Sequence, residues 1–151
     1  TMIDFSRAGM AMIAGQTLDV AQSETVSQAE TMLDCYKLKS AELYGFATSA
    51  GAILCGAETE DIDKLREVGV LMGLSYQFLD DIADVTADIA DVGKEGGQDT
   101  EKFTAVDWLG VEGAKRRSGE FVAEAHSILD SYGNEADWLR CLAGEVSWAT
   151  H

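Results

Sequence analysis

Apolar residues recur at three- and four-residue intervals along almost the whole chain, the period of a helix with one buried stripe and not the alternation of a strand. The clearest run is Leu71, Leu74, Phe78 and Ile82. Proline is absent, so no residue interrupts these runs by removing a backbone donor. The pattern predicts an all-α protein. A first helix is expected over about 3–22 and a long second one over about 25–55, with Ser23 or Thr25 as cap and Gly56 as stop. A third is expected from Thr59 to near Ala90, a fourth over about 111–131, then a turn at Tyr132-Gly133-Asn134 and a last helix to about Trp148.

Between the third and fourth helices the segment "DVGKEGGQDTEKFT" breaks the period with three glycines and reads as a loop of about a dozen residues, a length usually kept for function. Gly69 and Gly73 stand four apart inside the third helix, and "GFATSAGA" lies inside the second. An interior glycine costs about 0.8–1 kcal/mol against alanine. Retaining several points to close helix approach or to a cavity between helices.

At 151 residues the chain suits one domain, and 46% hydrophobic residues are enough for a core. The formal charge of -16 removes the basic footprint that nucleic acid requires, while an anion remains open as a ligand if a divalent cation stands between it and the acidic wall. Cys35, Cys55 and Cys141 are scattered and unpaired in spacing, which argues against a disulfide or zinc framework and for a reducing, cytoplasmic setting with the thiols as small core residues. No apolar run reaches the length of a membrane span. Trp108, Trp138 and Trp148 are expected to pack in the last helices, and His126 to be packed or at the surface without acting as a ligand.

The sharpest chemical signal is an echo: Asp-Ile-Ala-Asp-Val at 81–85 and again at 88–92. On a helix Asp80 and Asp84 share a face and Asp81 is their neighbour, while Asp88 and Asp91 continue towards the loop. Such a run is either a metal site or a solvated acidic face, since like charges at this spacing cost only about 0.2–0.5 kcal/mol per pair. The company favours metal. Gln77 lies one turn earlier on the same face, and Lys94 and Lys102 follow on the glycine loop. Carboxylates with lysines close by suit magnesium, which binds through one or two carboxylates and the substrate's phosphates. Lys39, taken alone, is a snorkelling surface lysine.

Four motifs in order, Gly15-Gln16-x-x-Asp19, Lys39-Ser40-Ala41-x-Leu43, Tyr76-Gln77-x-x-Asp80-Asp81-x-x-Asp84 and Gly93-Lys94-x-x-Gly97-x-Asp99-x-x-Lys102-x-Thr104, resemble the C-terminal half of the trans-polyprenyl diphosphate synthases. Departures are Ser40 for the family's threonine, Tyr76 for its phenylalanine, and Ala11 for its glycine. The resemblance implies an isoprenoid-synthase fold and condensation of an allylic diphosphate with isopentenyl diphosphate to a short product of the farnesyl or geranylgeranyl kind. It implies magnesium on Asp80, Asp81 and Asp84. Lys39 and Lys94 would serve at the departing diphosphate, with Lys102, Ser40 and Gln77 also binding it. A homodimer is implied for the full-length protein. The first aspartate-rich motif of that family has no counterpart in this chain, so the chain is expected to be a C-terminal portion, inactive alone. The other readings are a non-catalytic subunit that modulates a full-length synthase and an acidic helical interaction module. Gln77 ahead of three aspartates differs from the second motif typical of the related cyclases.

Overall fold

A computed structural model describes residues 2–20, 28–90 and 102–146, with the side chains of 87–90 excepted. Among them every element is helical, as the periodicity predicts. Helix α1 runs Met2–Val20, α2 Gln28–Tyr36, α3 Glu42–Cys55, α4 Thr59–Ala90, α5 Ala105–Leu129 and α6 Asp137–Glu145. A π-helical turn, Lys37–Ala41, joins α2 to α3 without a break, and a 3-10 stretch, Asp130–Ala136, joins α5 to α6. The loop expected around Lys94, the caps at Ser23 and Thr25, and Trp148 lie outside the described residues.

The stop at Gly56 is as expected. Its φ of 69° is left-handed, its N–H meets the Ile53 carbonyl at 3.2 Å, and the Ala57 N–H meets the Ala52 carbonyl at 3.0 Å. These two bonds satisfy carbonyls that the end of α3 would otherwise leave bare. The fourth helix starts earlier than expected, at Ala105 instead of about 111. Thr104 accepts from the Asp107 N–H while the Asp107 carboxylate accepts from the Thr104 N–H, a reciprocal cap that starts a short turn. Gly110, at φ 67°, then redirects the chain into the long part of α5.

Helix α4 is the centre of the packing, against α3 on one side and α5 on the other. Its buried stripe includes Val68, Met72, Phe78 and Ile82. Phe78 makes edge-to-face contacts with Tyr36 at 6.1 Å and Phe121 at 5.5 Å, tying α2, α4 and α5 together. The interior glycines serve close approach. A Cβ on Gly69 would sit 2.2 Å from Thr48 Oγ1 and 2.4 Å from the Tyr44 carbonyl, and one on Gly73 would sit 2.5 Å from Ala41 Cα.

Two expectations for single residue types are corrected. Cys35 is buried, but Cys55 and Cys141 are exposed, because they fall on the outward faces of α3 and α6. Trp138 is 88% exposed and Trp108 40%, so neither is a core residue. His126 is packed, its Nε2 at 3.1 Å from the Arg140 carbonyl. Among the described residues no helix is long and apolar enough to cross a membrane.

Candidate active site

With Phe78 and Ile82 turned into the core, the geometry of α4 leaves Gln77, Asp80, Asp81 and Asp84 on the wall of a cavity. Asp19, Tyr36, Lys39, Lys102, Phe103 and Thr104 complete it. Four elements therefore meet there: the last turn of α1, the α2–π junction, α4 and the start of α5. The cavity holds about 170 Å³. That is below the roughly 300–1,000 Å³ of sites that enclose a whole organic ligand, and it fits a compact charged group. A second, mostly apolar cavity of about 400 Å³ adjoins it, lined by Tyr44, Tyr76, Leu79, Ala83, Glu145 and Val146, and the two share Asp80.

Lys39 is positioned by an irregularity that the apolar pattern does not reveal. The π-helical turn inserts one residue into the register, a feature often found at functional sites. Helix α1 crosses that turn so closely that a Cβ on Gly15 would lie 2.3 Å from the Lys39 backbone nitrogen. This approach places Asp19, one turn on, beside Lys39: Nζ donates to Asp19 Oδ2 at 3.0 Å. Lys102, just ahead of the α5 cap, donates to the same oxygen at 3.1 Å. Lys39 is thus not the free snorkelling lysine that its local sequence suggests. Burial opposes the charge on Asp19, but hydrogen bonds from the two ammonium groups outweigh it and hold the carboxyl below its usual range.

The three aspartates of the motif play different parts. Asp80 and Asp84 are exposed on the cavity wall. Asp81 is half-buried, and its Oδ2 accepts from the Tyr36 hydroxyl and, at 2.7 Å, from the Ala105 backbone N–H. Burial pushes its carboxyl up; these two hydrogen bonds act against that, and the neighbouring Asp80 and Asp84 add to it. Among the described residues no three acidic, histidine or cysteine side chains are arranged as a ready-made metal cage. A pair of exposed carboxylates at i and i+4 beside a charged cavity still fits magnesium, which takes part of its shell from phosphate and water.

Of the residues singled out in the sequence, Lys39, Gln77, Asp80, Asp81, Asp84 and Lys102 line one cavity. Gln77 is 7% exposed. Ser40 is half-buried on the π-helical turn and is not part of the cavity lining. Lys94 lies outside the described residues. Asp19 and Tyr36 line it too, though the sequence gives no sign of their roles: Asp19 falls in the Gly15-Gln16-x-x-Asp19 motif, and nothing in the spacing marks Tyr36.

The all-helical bundle is the fold of isoprenoid synthases, as solved structures show. The chain superimposes on a FPP/GFPP synthase from Zymomonas mobilis with TM-score 0.74 and 31% identity, over 89% of this chain and 45% of that one. A geranyltransferase from Helicobacter pylori, crystallised with magnesium and isoprenyl diphosphate, matches with TM-score 0.67 and 30% identity over 89% of this chain and 45% of that one. The Polyprenyl synthetase family profile matches residues 2–137, and the chain belongs to that family. It is 32% identical over 142 residues to the farnesyl diphosphate synthase of Bacillus subtilis, covering 93% of this chain and 48% of the relative. The chain thus spans about half the length of the relatives that it matches.

Proposed function

We propose that this chain supplies the diphosphate-binding half of the active site of a trans-prenyl diphosphate synthase making a short product of the farnesyl or geranylgeranyl kind. The observation that carries the reading is the convergence of Gln77, Asp80, Asp84, Lys39 and Lys102 on one polar cavity that opens beside an apolar one. The polar cavity suits the diphosphate and the apolar one the prenyl chain. Asp80 and Asp84 would hold magnesium, with Asp81 contributing through the oxygen that Tyr36 and Ala105 leave open. Magnesium, when bound, offsets the charge of the diphosphate against the acidic wall.

In the reaction the C1–O bond of the allylic diphosphate breaks and its electron pair leaves with the diphosphate. The double bond of isopentenyl diphosphate then forms the new carbon–carbon bond at C1, and a proton is lost to restore an alkene. Lys39 and Lys102, with Lys94 by its place in the motif, would bind the leaving diphosphate where negative charge develops. Gln77 would add a neutral amide donor on the same wall. Tyr76 and Tyr44, stacked at 6.0 Å, border the apolar cavity where the chain would lie.

Thermal melting of the protein expressed from its complete gene tests this reading. Magnesium together with an allylic diphosphate should raise Tm, by preferential binding to the native state, more than either does alone. The Asp80→Asn/Asp84→Asn variant should show a much smaller shift. No shift in the unaltered protein, or the same shift in the variant, would sink the assignment.

A further inference from the structure

Asp19 lies on the last turn of α1 with its side chain 8% exposed, and it lines the cavity together with both of its lysine partners. Its Oδ2 accepts from Lys39, 20 residues away in sequence, and from Lys102, 83 residues away. Its Oδ1 faces the Cys35 thiol at 3.8 Å, and that thiol also donates to the Gly15 carbonyl at 3.4 Å. Two ammonium groups from elements far apart in sequence thus share a single carboxylate oxygen. They repel each other, and a negative group between them, itself shielded from water, offsets that repulsion. An ammonium has three donors, so the one that Lys39 spends on Asp19 does not exhaust its capacity for an anion.

We infer that Asp19 is a positioning residue, a buried clamp that holds Lys39 and Lys102 side by side at the cavity so that an incoming diphosphate meets both at once. This deepens the function proposed for the site and rests on it. Two long side chains held in advance lose less freedom when the anion binds, so the clamp acts on affinity as well as on the fold. A merely structural ion pair joining α1 to α5 would act on the fold alone. The surroundings favour the clamp: Asp19, Lys39 and Lys102 all line the cavity that also holds Gln77 and Asp80.

The test is calorimetric titration of the protein from its complete gene with inorganic pyrophosphate in the presence of magnesium. The first comparison is between the unaltered protein and Asp80→Asn. If the unaltered protein does not bind, or Asp80→Asn binds equally well, the site reading itself fails. If that reading stands, Asp19→Asn should bind about tenfold more weakly, with affinity partly restored in Asp19→Glu. The loss caused by Lys39→Gln should also shrink in the Asp19→Asn background, because the lysine is no longer held. Pyrophosphate binding by Asp19→Asn that is unchanged or tighter, whatever its stability, would overturn the clamp. Should Asp19→Asn not fold, nitrogen-15 spectra of the lysine ammonium groups in the unaltered protein decide the matter, with assignments from Lys39→Arg and Lys102→Arg. Both signals should exchange slowly without ligand and move together on adding magnesium pyrophosphate. Fast exchange of either signal, or movement of one alone, would count against the clamp.

Discussion

The Tyr36 hydroxyl donates to Asp81 Oδ2, an oxygen that also takes the Ala105 backbone N–H. One carboxylate therefore ties the end of α2 and the start of α5 to α4, next to the carboxylates that face the cavity. Tyr36→Phe keeps the ring packed on Phe78 and deletes only the donor. Its expected cost is about 1–3 kcal/mol, the range for leaving a part-buried polar group short of a partner. Urea denaturation measures it, and a variant as stable as the parent would show that the hydrogen bond is energetically idle.

Asp19 sets a pH dependence whose sign follows from its lowered folded-state pKa. The unfolded chain takes up the proton first, near the usual 3.8, so Asp19 contributes stability above that value and loses it as pH falls through the folded pKa. Between about pH 6 and about pH 3 the parent should lose more stability than Asp19→Asn, whose amide does not titrate. Parallel denaturation curves at the two pH values would contradict this.

Two glycines on α1 make a matched pair. Gly15→Ala drives a Cβ into the backbone of the π-helical turn and should cost about 1–3 kcal/mol by overpacking, while moving Lys39 and weakening pyrophosphate binding. Gly9→Ala meets nothing within 4 Å and should gain about 0.4–1 kcal/mol by stiffening the unfolded chain. Melting temperatures of the two variants should move in opposite directions.

A buried polar node anchors the end of the described chain. Ser75 and Ser118 are fully buried, their hydroxyl oxygens lie 2.8 Å apart, and Ser75 also donates to the Val146 carbonyl. Ser75→Ala strands both partners and should cost about 1–3 kcal/mol. Ser75→Ala/Ser118→Ala should cost less than the sum of the two single changes, since the second removes a group that the first has orphaned. Strict additivity in chemical denaturation would show that the hydroxyls do not interact.

The helices were legible because their signals are local. Gly56 carries the left-handed stop of α3, and the stripe through Phe78 and Ile82 marks the inner face of α4. The start of α5 was less legible, because Asp107 completes the Thr104 cap where glutamate or glutamine is the usual partner, and Gly110 bends the helix just where the apolar period resumes. Trp138 shows the limit of composition: a large aromatic side chain is expected to pack in the last helices, and its position on α6 leaves it 88% exposed.

By itself the sequence determined the helical class, through periodicity without proline, and the family, through four motifs in order. It also placed Gln77, Asp80, Asp81 and Asp84 on one side of one helix, since a period of 3.6 residues leaves little choice. Only the tertiary structure decided what each of them does. All three aspartates line the cavity, but Asp80 and Asp84 are exposed there while Asp81 is held by Tyr36 and Ala105. Asp19 acquires its partners because Gly15 lets α1 come close to an irregular turn and because α5 begins alongside. Hydrogen bonds spanning 20 and 83 residues depend on how helices cross, and no local pattern encodes that crossing.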